Sequence, residues 1–175
     1  FRADSTSAYD SWSRYEDPQQ VYGSGSVYFG TVKDNGDIAV TEYDVATGER
    51  TEKVIDPGLE ADDHNAPVLW FDSQNHLHAY WSTHDGGQLR HAEMTSAFDL
   101  SSFTSVETLT SGLSVAHANV FELDGETWVA FRNKNDGRNY YYVRSTDDGD
   151  SYSSASALTS WSSDDPYPKF YSNGD

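Results

Sequence analysis

The chain has 175 residues, which is enough for one ordinary domain with its own hydrophobic core. Aromatic residues make up 14% of it, which excludes a disordered acidic tail, and no run of about 18 apolar residues is present to form a membrane-spanning helix. Lys and Arg total 11 against 29 Asp and Glu, so the formal net charge of −18 argues against a nucleic-acid partner, which needs clustered basic residues.

The pattern of residues along the chain is that of an all-β protein. Residues 1–26 are polar with scattered aromatics and are predicted to form a lead-in segment. After them, short runs rich in Val, Tyr, Phe and Trp are separated by Gly, Asp, Asn and Ser, which is typical of strands and turns. The predicted strands are 27–32, 38–43, 67–71, 77–82, 89–94, 118–123, 127–132 and 140–145.

A repeat of about 50 residues runs through these strands. The segment that begins at Val68 aligns with the one that begins at Asn119, each with three strands and two turns, and this spacing is typical of propeller blades. We predict a β-propeller in residues 27–175, with blades at 27–60, 61–110 and 111–160 and another beginning at 165–175. Because propellers need four to eight blades, the chain is expected to be about three and a half blades of a longer one; a small β-sandwich is the alternative.

Residues 145–152, with the sequence STDDGDSY, support the propeller. They fit the pattern S-x-D-x-G-x-x-Y and resemble the Asp-box of sialidase-type, or BNR, propellers. In that hairpin turn, Asp accepts hydrogen bonds from turn amides and the aromatic residue packs beneath. The motif marks a fold far more often than a functional site.

Two histidines are the first candidates for chemistry. His64 lies in the segment DDHNAP, just before a predicted strand, and His84 ends the next strand. If the two strands form an antiparallel hairpin, His64 and His84 lie near each other. Side-chain alternation puts Leu77, Ala79 and Trp81 on a core face. The opposite face then carries His76, His78, Tyr80, Ser82 and His84. His76 and His78 could begin a metal site, but we favour a solvent-exposed strand face.

The DDHNAP segment followed by a His twenty residues later resembles the BNR-repeat family that includes the ulvan-lyase-type polysaccharide lyases. VYFGTVKDNGDIAVTEYD, AHANVFELDGETWVAFRN and DPYPKFYSNGD are similar to other segments of that family. The resemblance implies a seven-bladed propeller that cleaves uronic-acid-containing polysaccharide by β-elimination.

The resemblance also assigns roles to individual residues. His64 would be the base, His84 a neighbour in the cleft, and Arg132 the group that neutralises the substrate carboxylate. His117 stands where family members tend to have a catalytic Tyr. The residues expected to contact substrate are Asn65, Tyr80 and Asn119.

Other functions remain open at this point. A non-catalytic carbohydrate-binding propeller is the main alternative, and a sialidase-like glycoside hydrolase is the weaker one. We expect two partners, an acidic polysaccharide and further propeller blades, with a neutral glycan as the alternative substrate. We expect no membrane partner, no cofactor and no metal ion at the site. We expect an extracellular protein. Its dispersed acidic, Lys-poor composition resembles that of proteins from salt-adapted microbes, with an ordinary secreted acidic protein as the alternative.

Overall fold

A computed structural model of the chain describes residues 16–83, 87–161 and 168–170, and the regular structure within these ranges is almost entirely β-strand. Twelve strands form three antiparallel sheets of four, with the strands of each sheet side by side in chain order. The first sheet contains β1 (Gln20–Gly23), β2 (Ser26–Val32), β3 (Ile38–Asp44) and β4 (Arg50–Asp56). The second contains β5 (Val68–Phe71), β6 (Leu77–Trp81), β7 (Arg90–Glu93) and β8 (Glu107–Thr108). The third contains β9 (Val115–Leu123), β10 (Glu126–Asn133), β11 (Tyr140–Ser145) and β12 (Ser156–Ala157).

The all-β prediction is confirmed, and the three meander sheets are successive blades of a partial propeller. The eight predicted strands correspond to observed ones. Four others have no counterpart in the sequence prediction: β1, β4, β8 and β12. Because β1 lies inside residues 1–26, strand structure begins earlier than the lead-in assignment indicated.

Helical structure in the described residues consists of two three-residue 3-10 helices, Asp63–Asn65 and Leu100–Ser102. Neither is long enough to cross a bilayer, and no other described segment forms an apolar spanning helix. The first of these helices contains His64.

Both faces of the second sheet are buried. On one face, Leu77 and Trp81 pack in a core shared with Tyr28 of the first sheet. On the other face, Tyr80 packs in a second core with Phe131 of the third sheet. The predicted solvated face of β6 is therefore wrong: neighbouring blades cover both sides, and His78, Tyr80 and Ser82 are at most 1% exposed.

The segment of residues 17–19 is hydrogen-bonded to one strand of each of the three sheets. Three consecutive carbonyl oxygens of this segment accept hydrogen bonds from three different blades. The donors are Val120 N to Asp17 O (2.9 Å), Leu69 N to Pro18 O (2.8 Å) and Gly30 N to Gln19 O (3.0 Å). These bonds pair buried backbone groups that would otherwise lack partners.

The Asp-box motif forms the turn that its sequence predicts. The Asp147 carboxylate accepts hydrogen bonds from the Ser145 hydroxyl (2.8 Å) and the Ser151 amide (3.0 Å) and hydroxyl (2.5 Å). These bonds lower the pKa of Asp147. Gly149 adopts a positive φ of 96°, and Tyr152 packs beneath the turn against the second sheet.

We expect Asp147→Ala to destabilise the chain by about 1–2 kcal/mol, because the turn loses three hydrogen bonds to a charged acceptor. Urea unfolding followed by tryptophan fluorescence measures the change. Asp150→Ala is the matched control, since it removes one negative charge from the same turn and should shift the midpoint much less. Equal shifts for the two variants would contradict this role of the motif.

Candidate active site

His64 is held by the aspartate that caps its short helix. The Asp62 carboxylate accepts a hydrogen bond from the His64 backbone amide at 2.9 Å and lies 2.5 Å from the ring atom Nδ1. Asp63 is also near Nδ1, at 3.0 Å. Because these carboxylates favour a proton on Nδ1, Nε2 becomes the ring nitrogen that can accept one. The His64 side chain is 23% exposed, so the ring is open to a bound molecule.

His117 lies in an irregular stretch of β9. Ala130 of β10 pairs with Asn119, whereas Arg132 pairs with Ala116, so β9 has one extra residue between these pairs. His117 takes a positive φ of 56° there, a left-handed conformation that is uncommon for residues other than glycine. Bulges and left-handed residues are found often at functional sites, where they redirect a side chain.

The two histidines meet beside a buried glutamate. Their ring centroids are 4.7 Å apart, with the ring planes tilted by 57°. His117 Nδ1 lies 3.3 Å from a carboxylate oxygen of Glu16, and both side chains are at most 2% exposed. A buried carboxylate orients the imidazole and stabilises positive charge on it. The pair thus places a partly exposed imidazole next to a buried one, an arrangement suited to proton transfer.

Three other predicted residues lie around this pair. Arg132 is on β10 opposite Ala116, the residue before His117, and is 5% exposed. Asn119 donates from Nδ2 to the His117 backbone oxygen at 3.0 Å and so supports the irregular backbone. Asn65 is fully buried and donates from Nδ2 to the Glu60 backbone oxygen at 2.9 Å, which fixes the helix that holds His64.

Tyr80 does not lie with these residues. It is fully buried between the second and third sheets, and its hydroxyl is 2.6 Å from that of Tyr152. Burial raises the pKa of Tyr80 well above its ordinary value. The predicted substrate contact by Tyr80 is therefore inconsistent with its position in the fold. His84 lies outside the described residues, so its predicted proximity to His64 stays a prediction.

Glu16 is the residue of this site that sequence reasoning missed. It lies in the polar segment before the first predicted strand and is 101 residues from His117. No local pattern marks a carboxylate that becomes buried through such a distant contact.

A metal ion could be considered at Asp62, Asp63 and His64, whose ligand atoms lie within 4.8 Å of one another. The hydrogen bond between His64 Nδ1 and Asp62 already gives this ring nitrogen a partner. Asp63 is also largely exposed, as surface acidic groups commonly are, so the arrangement does not call for an ion.

Comparison with known proteins gives one family and several similar folds. The family described as "BNR repeat-containing family member" matches residues 26–175. A polysaccharide lyase PL25 ulvan lyase, solved bound to a GlcA(1-4)Rha3S saccharide, superposes with a TM-score of 0.69 at 17% identity over 86% of this chain and 39% of its own. No curated protein sequence matches the chain.

Two other structures share the fold. Polysaccharide lyase Uly1 superposes with a TM-score of 0.61 at 12% identity over 87% of this chain and 45% of its own. The catalytic domain of the Coprinopsis cinerea GH62 α-L-arabinofuranosidase superposes with a TM-score of 0.58 at 12% identity over 93% of this chain and 55% of its own. The chain therefore spans less than two thirds of the length of each of these proteins.

The buried pair of His117 and Glu16 is testable by a double-mutant cycle. We expect His117→Asn, which keeps a residue tolerant of the left-handed backbone, to destabilise the chain by about 3 kcal/mol by taking the imidazole from a buried carboxylate. In a Glu16→Gln background the same change should cost less, with a coupling energy of about 1–3 kcal/mol. Urea unfolding of the four proteins measures it, and additive effects would refute the pairing.

Proposed function

This chain belongs to the BNR repeat-containing family, and from that premise we propose that it acts as a polysaccharide lyase on uronic-acid-containing polymers. The observation that supports this most directly is the geometry of His64. Its ring is oriented by Asp62 at 2.5 Å, partly exposed, and 4.7 Å from His117. These are the features that a proton-transfer site on a polymer substrate needs.

In the proposed reaction, His64 Nε2 takes the proton from C5 of the uronate. The electron pair of that C–H bond forms the C4=C5 double bond, and the bond between C4 and the glycosidic oxygen breaks. The leaving oxygen takes a proton from His117, which the Glu16 carboxylate positions. The products are a chain with a 4,5-unsaturated uronate at its new end and a chain with a free hydroxyl group.

Arg132 is proposed to neutralise the substrate carboxylate, which makes the C5 proton easier to remove. A guanidinium suits this role because it stays charged and can hold a carboxylate through two parallel hydrogen bonds. Its place opposite Ala116 puts its backbone beside the bulge that holds His117. We also propose that His84 lies in the same substrate-binding cleft as His64.

Binding without cleavage is the alternative function, and one observation favours it. His117 is 2% exposed and already contacts Glu16, so a bound polymer has limited access to its ring. Either function acts on a large polymer, and we therefore propose an extracellular location.

The proposal predicts that the ultraviolet absorbance of unsaturated uronates increases with time when the protein is mixed with a uronic-acid-containing polymer. We expect His64→Ala to lower the rate at least 100-fold, because a positioned base contributes about 10²–10⁴-fold. His76→Ala is the control, since it removes an imidazole of similar exposure whose Nδ1 contacts Asp72, away from the site. An unchanged rate in His64→Ala would remove this residue from the base role.

The polymer assay also separates the two functions. Retention of the uronan on immobilised protein, with no new absorbance across several uronans at low and high salt, would contradict the lyase and identify a binding protein.

The net charge of −18 predicts how salt affects the reaction. A polyanionic substrate is repelled at low ionic strength, and this repulsion is screened as the Debye length falls from about 10 Å at 0.1 M salt to about 3 Å at 1 M. We expect kcat/KM on a uronan to rise over this range, measured by initial rates. Rates that fall steadily with salt would instead indicate an attractive local field, and rates independent of salt a neutral glycan.

A further inference from the structure

A second group of ionisable side chains lies on the face of the second sheet that packs against the third. In the register of β6 and β7, His78 pairs with Glu93, and Tyr80 pairs with His91. Since cross-strand partners share a face and residues two apart do also, all four side chains point the same way.

This group is enclosed by aromatic rings and by the Asp-box turn. His78 and His91 are at most 2% exposed. The Tyr80 ring stacks on His91, with centroids 4.8 Å apart. Gly149 of the turn lies so close that a Cβ there would be 2.4 Å from His78 Cε1. Only glycine fits at that contact, so the third sheet closes directly over the imidazole.

The orientation of His91 follows from its outer partner. His91 Nδ1 lies 2.6 Å from a carboxylate oxygen of Glu107, and this bond lowers the pKa of Glu107. With its proton on Nδ1, His91 has a lone pair on Nε2. That nitrogen faces His78 Nδ1 at 2.9 Å.

With both rings neutral, the group lacks a positive charge, whichever nitrogen of His78 carries the proton. If Nδ1 carries it, the bare Nε2 faces carboxylate oxygens of Glu93 (3.5 Å) and Asp72 (3.7 Å), and it has no hydrogen-bond donor among the described residues. If Nε2 carries it, two lone pairs oppose each other at 2.9 Å. Both arrangements are repulsive in a buried place. A cation held between the two imidazoles and these carboxylates would satisfy the facing groups.

We propose that His78, His91 and Glu93 bind a divalent transition-metal ion, with Zn²⁺ the best match to their chemistry. One ligand atom from each residue lies within 4.8 Å of the other two. Two imidazole nitrogens and a carboxylate oxygen are ligands typical of Zn²⁺, and imidazole disfavours Mg²⁺ and Ca²⁺. Glu107 supplies the carboxylate that commonly orients a ligating histidine. All three ligands belong to β6 and β7, so the ion would join these strands beneath the Asp-box turn.

Metal binding to the chelator-treated full chain tests the proposal, and it does not depend on lyase activity. We expect one equivalent of Zn²⁺ by titration, visible absorption bands when Co²⁺ is added instead, and a higher Tm with Zn²⁺. His78→Gln and His91→Gln should each weaken binding at least 100-fold. Glu107→Gln should weaken it about 10–100-fold, since it only orients His91.

His76→Gln is the matched control, because His76 lies just before β6 with its Nδ1 on Asp72 and is not a proposed ligand, so this variant should bind as the unaltered chain does. The absence of stoichiometric binding by the unaltered chain would overturn the proposal, whether or not the His78 and His91 variants fold. So would binding that these variants retain, or binding that only His64→Gln removes.

Discussion

The second sheet packs against a neighbour on each of its faces, and the positions of the other features follow from this sandwiching. One face shares a core with the first sheet through Leu77 and Trp81, and the other shares a core with the third through Val68 and Tyr80. A strand buried on both faces has to satisfy every polar group that it carries. That constraint explains why His78 and His91 contact each other and nearby carboxylates instead of solvent.

Two histidine groups result, and they differ most in exposure. The His64 group lies at the start of the second blade, where a short helix leaves the ring 23% exposed beside a buried partner. The His78 group lies between the second and third blades and is closed by the Asp-box turn. A group with one exposed, oriented imidazole can exchange a proton with a bound molecule, whereas a group with no exposed imidazole suits a structural role. The same residue type therefore has two proposed functions, distinguished by what covers it.

Much of the fold could be predicted from sequence because its central strands are apolar and end at clear turns. The outer strands could not: Arg50–Asp56 is mostly polar, and Glu107–Thr108 and Ser156–Ala157 are only two residues long. Alternation along β6 correctly separated its faces, but alternation does not say whether another sheet covers a face. This is why His78 was expected at a solvated surface.

The candidate site was predictable in part for the same reason. The DDHNAP segment pointed to His64 without any structure, and the resemblance to the BNR-repeat family pointed to His117. The contact between His64 and His117 was not predicted, because it depends on a β-bulge for which the local sequence has no recognisable pattern. Glu16 and His91 were missed since their partners lie on other strands, and Glu16 is 101 residues from His117.

The chain at residues 17–19, which hydrogen-bonds to all three blades, bears on how the molecule unfolds. In a repeat array whose units touch only their neighbours, stability is a sum of local terms, and single units can fray from the ends. Here one continuous stretch of backbone is hydrogen-bonded to every unit, so a blade that frays must also break its bond to that shared stretch. Loss of structure should consequently be more cooperative across the three blades than in an array that lacks such a stretch.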